Sequence, residues 1–258
     1  VNKRFCQVYL KHLAFCFLGY NRNVDFLRVS MDFDMPKPPK KEVVAQEELP
    51  REIIETIENA PFNPFTKMEV MLIALGRKPM TDIELTSEGW EADGGIEVAV
   101  DDEKVKNLEG FLQKTGLVVE WQEPVIDEYA TREYEGALEI AMKRQKREVL
   151  VAKDEVGLKG FRDAVASQDD TALGRFFGFP DSAIEAYNGQ REGIVRQDLP
   201  EHIKDSEVYP FIQFGVLSKD NWWNEIKEAE LNAAAIKKSS PKLFAEYTSY
   251  IRKTVEGW

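Results

Sequence analysis

Glu148-Val149-Leu150-Val151-Ala152-Lys153-Asp154-Glu155-Val156-Gly157-Leu158 is the stretch where the chain changes its period. The short run from Glu148 to Ala152 is apolar and β-branched, and it reads as a strand. From Glu155 the apolar residues Leu158, Phe161 and Val165 recur at helical spacing. Sheet on one side of Lys153 and helix on the other predict an α+β protein. The expected architecture is a small mixed or antiparallel sheet with helices, followed by a helical C-terminal part.

Residues 131–147, just upstream, admit two readings. Tyr134 to Met142 pairs with Glu148–Ala152 as a hairpin, with Leu138, Ile140 and Met142 on one face, or it is a helix striped by Tyr134, Leu138 and Ala141. The hairpin is preferred, with the basic run Lys143-Arg144-Gln145-Lys146-Arg147 as its solvated tip. Further upstream, Ile83 and Leu85 alternate with acids, and Asp93-Gly94-Gly95 is a turn signal before the alternating Ile96–Val100. Asp101-Asp102-Glu103 opens a helix to about Lys114, capped by Gly116, and Leu117–Trp121 follows as a strand. Two helices come first: Pro50–Ala60, with Ile53, Ile54 and Ile57 on one face, and Lys67–Leu75, after a break at Asn63-Pro64.

Downstream, Asn188 to Tyr209 is rich in turn residues. A helix then carries Trp222, Ile226, Ala229, Ala233 and Ile236, with Ser218 as its expected N-cap. Ser240-Pro241 starts the last helix, with Phe244, Tyr247, Ile251 and Val255 facing inward. The expected division is an N-terminal extension and Pro/Lys linker over 1–42, an α+β part over 43–153, and a helical part over 154–258 packed on it.

Composition restricts function more than it suggests one. The net charge is −12, which argues against a nucleic-acid backbone or an anionic membrane as partner. Cys6 and Cys16 are the only cysteines, and His12 and His202 the only histidines. The body therefore lacks the residues for disulfides, thiolate zinc sites, cysteine nucleophiles and HExxH chemistry. No metal site and no cofactor are expected from it, although abundant Asp and Glu leave carboxylate-bound magnesium open.

Residues 1–30 differ in kind, with Lys3, Arg4, Lys11, Arg22 and Arg28 against Asp25 alone. The apolar run from Phe5 to Tyr20, broken by Lys11 and His12, is too short to span a bilayer. A translated upstream sequence, with Met31 as the true start, and a genuine interfacial helix are both open. Pro36-Lys37-Pro38-Pro39-Lys40-Lys41 reads as an extended linker.

The densest motif is Leu173-Gly174-Arg175-Phe176-Phe177-Gly178-Phe179-Pro180-Asp181-Ser182-Ala183. Asp169 and Asp170 cap a helix that Gly178 ends in the left-handed conformation; Pro180 and Asp181 open the next. The second helix carries Asp181 and Glu185 but no Lys or Arg, which opposes DNA recognition by this helix-turn-helix shape. Gly174, Gly178 and Pro180 are read as a tight corner. Arg175 and Ser182 mark a candidate anion site at a helix start. His202 is a candidate base without a placed partner. Trp222-Trp223 puts one indole inward and one near the surface, the outer a candidate contact for a protein partner, and Trp222 is kept as a candidate.

This motif resembles the Leu-Gly-x-x-x-Gly-(Tyr/Phe)-Pro segment of uncharacterised conserved proteins, mainly archaeal. Some of those relatives place cysteines after the proline, where this chain has Ser182 and Ala183. The resemblance covers the last third of the chain and implies no known activity. The expected function is a cytoplasmic, non-catalytic binding or regulatory protein with a protein or small-molecule partner. The alternatives are an Asp/Glu-dependent enzyme, with magnesium, and a peripheral membrane protein held by residues 1–30.

Overall fold

The computed structural model describes residues 48–90, 100, 102–134 and 138–256. Two helices open it, α1 (Arg51–Glu58) and α2 (Pro64–Ala74). Asn63, expected as a break, is the N-cap of α2, its side chain accepting from Thr66 N at 2.9 Å. Residues 68–74 of α2 are buried without interruption, so this helix is enclosed on all sides.

The sheet is built on one long strand. β4 (Leu138–Ala152) pairs along one edge with β1 (Met80–Trp90) and along the other with β2 (Val118–Trp121) and then β3 (Val125–Tyr134), all antiparallel. Between β1 and β2 lies α3 (Asp102–Thr115), ended by Gly116 at φ +71°. Of the strand expected over Ile96–Val100, all but Val100 lies outside the described residues.

Strand is right over Leu138–Ala152, but the expected hairpin is not: Leu138–Met142 and Glu148–Ala152 lie on the one strand β4, whose hairpin partner is β3, and the basic run is not the tip. Lys143 to Arg147 lies inside β4, and the register places Lys143 opposite Glu128 and Arg144 opposite both Asp127 and Glu88. That register with acidic residues of two other strands is not revealed by a reading of one strand alone. Lys146 is buried and donates to Glu84 at 2.6 Å; the Arg147 guanidinium lies 5.0 Å from the Trp121 ring centroid.

Alternation along β4 divides the interior. Val149 and Val151 face the larger cluster, with α1, α2, α3 and the C-terminal helices, while Leu150 and Ala152 face the smaller. The smaller cluster is closed by Met80 and by Leu158, Phe161 and Ala164 of α4 (Glu155–Ser167). Then come α5 (Asp170–Phe176), α6 (Asp181–Tyr187), β5 (Gly193–Val195), the four-residue α7 (Glu201–Lys204) and β6 (Val216–Ser218), which pairs with β5. α8 (Trp222–Ser239) and α9 (Pro241–Glu256) end the chain. The larger cluster runs from Ile54 to Ile251, so residues on both sides of position 153 share one core.

The polar centre of that core is Glu69 of α2, 2% exposed. Its carboxylate pairs with Lys78, 7% exposed, and accepts from Thr81 Oγ1 at 3.0 Å and from Gln213 Nε2. On the other face of β1, burial pushes the Asp82 carboxyl up, against the opposing pull of Lys78. Removing one member of a buried pair leaves an uncompensated charge. Lys78→Met is therefore expected to cost about 3–5 kcal/mol. Adding Glu69→Leu should recover part of that loss. Urea denaturation of both variants checks this, and a Lys78→Met loss below about 1 kcal/mol would place the pair in water.

Candidate functional site

The corner between α5 and α6 holds Gly174, Arg175, Gly178, Pro180 and Ser182, while His202 lies on α7 and Trp222 at the start of α8. Phe179 N donates to Gly174 O at 3.0 Å and Gly178 N to Arg175 O at 2.9 Å, the paired closure of a helix that ends on a left-handed glycine. Gly178 has φ +79°. A Cβ at Gly174 would lie 2.8 Å from Ile184 Cδ1, so the absence of a side chain there is what lets α5 and α6 meet. Pro180 precedes α6 at φ −61° as its N-cap position.

Aromatic rings run through this corner from one cluster to the other. Phe161 and Phe177 have centroids 5.9 Å apart, Phe177 and Phe179 6.3 Å, and Phe179 and Phe214 6.1 Å. These spacings lie within the range for favourable edge and tilted contacts. The segment Phe177-Gly178-Phe179 thus belongs to the packing of the protein.

The candidate polar residues are spent on one another. Arg175 is not free for an anion: it forms a forked pair with Asp181, Nε to Oδ1 at 2.7 Å and Nη2 to Oδ2 at 3.2 Å. That bond holds the Asp181 carboxyl below the usual carboxylate range. Ser182 Oγ donates to Glu225 Oε1 at 2.6 Å and accepts from Asn221 Nδ2 at 2.9 Å. Ser218, expected as the N-cap of α8, stands at the end of β6; its backbone N–H donates to Glu225 Oε2 at 3.0 Å, and its hydroxyl also donates to Glu225. Asn221 takes the N-cap position. Trp222 is 2% exposed and meets Trp223 edge-on at 6.2 Å, so it is a core residue. His202 is exposed on α7 and has no hydrogen-bond partner among the described residues.

Glu225 was invisible to motif reading, yet it organises this network at 1% exposure. Burial raises its pKa, partly offset by the bonds from Ser182 and Ser218. A serine beside a carboxylate suggests a nucleophile with its base, but three donors from Ser182 and Ser218 already converge on this carboxylate. The arrangement ties α6, β6 and α8 together.

Other acids do not assemble into a site. Asp102 and Glu103 lie in the first turn of α3, Asp169 Oδ1 accepts from Ala172 N at 2.9 Å as the N-cap of α5, and Asp101 lies outside the described residues. Among the described residues, no three His, Cys, Asp or Glu side chains form a group able to hold a metal ion. None of the described helices is long and apolar enough to cross a membrane. Residues 1–30 lie outside the described residues.

On a further face of the corner lies a small recess. Gly174, Phe179, Ala183, Ile184, Phe214 and Val216 line it, with Asp170, Tyr187 and Asn188 alongside. Its volume is about 20 Å³, the scale of one water or one methyl group. Tyr187 is 41% exposed, one of few large apolar side chains so placed among the described residues. No family model matches the chain, and neither a curated protein nor a solved structure matches it.

Gly178→Ala is expected to cost about 1–2 kcal/mol through the left-handed backbone, and Gly174→Ala about 1–3 kcal/mol through overpacking against Ile184. Denaturant midpoints check both. The folded state holds the Glu225 proton more tightly than the unfolded chain does. Its stabilising contribution is full below the ordinary carboxylate range and is lost as pH rises through the raised folded value. The stability difference between wild type and Glu225→Gln should therefore fall with rising pH above 4.5, the ordinary glutamate value. A flat difference from pH 4 to pH 8 would mean that Glu225 is solvated.

Proposed function

We propose that this protein is a non-catalytic binding protein, and that the α5–α6 corner accepts one small apolar side chain of a protein partner. The observation that carries the reading is the pairing of an occupied polar network with a small apolar recess. Ser182, Ser218, Asn221 and Glu225 bond to one another, while Phe179, Ile184, Phe214 and Val216 line a depression beside exposed Tyr187. A methyl-sized recess is too small to enclose a metabolite, which needs about 300 Å³ or more. It suits an anchor residue on a larger surface, with Tyr187 as an aromatic contact at its edge.

Arg175 belongs to the rim in this reading and is not a contact for phosphate. Its pair with Asp181 is more than half exposed on both sides, where water and salt screen it.

Selection of displayed random peptides against the intact protein tests the proposal. The selected peptides should share one small apolar residue. Their binding should weaken on the order of tenfold, equivalent to about 1.4 kcal/mol, in Tyr187→Asp. It should be unchanged in Arg175→Ala. Peptides that carry phosphate or acidic clusters and depend on Arg175 would overturn the reading in favour of an anion site.

A further inference from the structure

We propose that Asn188 is a site of spontaneous covalent modification, in which its side chain cyclises onto the Gly189 nitrogen and then opens to aspartate and isoaspartate, and that the last turn of α6 gates the reaction. Asn188 is the only asparagine of the chain followed by glycine. Glycine is the neighbour this chemistry needs, because no Cβ stands beside the attacking nitrogen. Tyr187, Asn188, Gly189 and Gln190 are all exposed. Beyond the chain neighbours, no atom lies within 4 Å of where a Cβ on Gly189 would be. The Asn188 carboxamide makes no hydrogen bond among the described residues. The bonds balance with water as the only co-reactant. Hydroxide removes the Gly189 amide proton, and the nitrogen attacks Asn188 Cγ. The N–Cγ bond forms, the Cγ–Nδ2 bond breaks, and Nδ2 takes up a proton and leaves as ammonia. One water then opens the five-membered imide. At Cγ it breaks the new bond and leaves aspartate. At the Asn188 carbonyl carbon it breaks the original peptide bond and leaves isoaspartate, with the chain running through the side chain.

The folded turn holds the reacting atoms apart. Asn188 is the C-cap of α6 with ψ 1°, so the Gly189 nitrogen eclipses the Asn188 nitrogen about the Cα–C bond. Ring closure needs it to eclipse Cβ instead, a third of a turn away. Two backbone bonds resist that rotation: Gly189 N donates to Ala186 O at 3.2 Å and Gln190 N to Glu185 O at 2.8 Å. Gly189, at φ +72°, completes this paired closure of the helix. Arg191 clips the segment from outside, Nε to Glu185 Oε2 at 3.0 Å and Nη1 to Asp220 Oδ2 at 2.8 Å. Cyclisation therefore proceeds from the fraction of molecules in which this turn has opened. Its products then hold the turn open. Isoaspartate adds one backbone atom inside both hydrogen-bonded loops, and either product puts a negative charge at a helix C-terminus, where the dipole disfavours it. Asn188 lies alongside the recess, yet its modification depends on the turn alone and not on what the recess binds.

Peptide mapping of the full chain, aged in mildly alkaline buffer and digested with trypsin beside an unaged sample, tests this. The fragment Phe176–Arg191 carries Asn188 as its one asparagine. It should gain the mass of an amide-to-acid exchange on the order of tenfold faster than the fragments carrying Asn59, Asn221 or Asn232. An isoaspartyl methyltransferase should label the aged fragment, and Asn188→Gln should remove the label. Arg191→Ala should speed the reaction by freeing the turn, and the same sequence as a free synthetic peptide should react faster than the folded chain. A rate at Asn188 no higher than at the other asparagines would overturn the proposal. A free peptide that reacts no faster than the folded chain would overturn the gate, as would an unchanged rate in Arg191→Ala.

Discussion

A carboxylate buried in the most enclosed helix is the constraint on which the rest of this protein depends. Glu69 lies within Met68-Glu69-Val70-Met71-Leu72-Ile73-Ala74, a run with no solvent-facing side. An isolated charge there would carry a prohibitive desolvation cost. The cost is met only if Lys78 from the α2–β1 loop, Thr81 from β1 and Gln213 from the segment before β6 all reach the same carboxylate. One buried charge thus fixes the relative positions of a helix, a loop, a strand and a distant return segment. The apolar residues around it favour burial but not one particular arrangement, because hydrophobic contact is non-directional. Glu69 supplies direction. A second pair, Lys146 with Glu84, does the same on the other face of the sheet.

The corner above inherits this positioning. Lys78 Cγ lies 3.7 Å from where a Cβ on Gly178 would be, so the stem of the buried lysine forms part of the floor under the hinge. The ring series from Phe161 to Phe214 crosses at the same place. The smaller core beneath α4 and the larger core around α2 therefore meet at Phe177-Gly178-Phe179. Glu225 then locks the far side of α6 to β6 and α8 through Ser182 and Ser218.

Much of this architecture was legible in the sequence, and the illegible parts share one physical cause. Helix starts and stops followed local chemistry: the Asp169 cap, the left-handed Gly116 and Gly178, and the restart at Ser240-Pro241. Helical stripes located Phe161, Ile226 and Tyr247 correctly in the interior. What failed depended on a partner far away in sequence. The basic run of β4 looked like a solvated tip because its acidic neighbours lie on other strands. Ser218 looked like a cap because its true acceptor, Glu225, is a turn further into α8. Two signals were nevertheless present. Glu69 is the only charge in an apolar run, and Glu225 falls on the buried stripe of Trp222, Ile226 and Ala229. A lone acid at a core position calls for a buried donor elsewhere.

The same magnitudes separate what shapes the corner from what decorates it. The Arg175–Asp181 fork is bidentate, but both side chains are more than half exposed, and water screens such a pair. The approach of Ile184 to Gly174 leaves no room for a methyl group, a packing constraint of about 1–3 kcal/mol. The Glu225 network is buried, and each of its bonds to a charged group contributes about 1.5–3 kcal/mol. The shape of the corner is therefore set by a missing side chain and a buried carboxylate. Arg175, the most conspicuous polar residue of the motif, can change without altering that shape. The surface of the corner is thus defined by packing, with the Arg175–Asp181 pair at its edge.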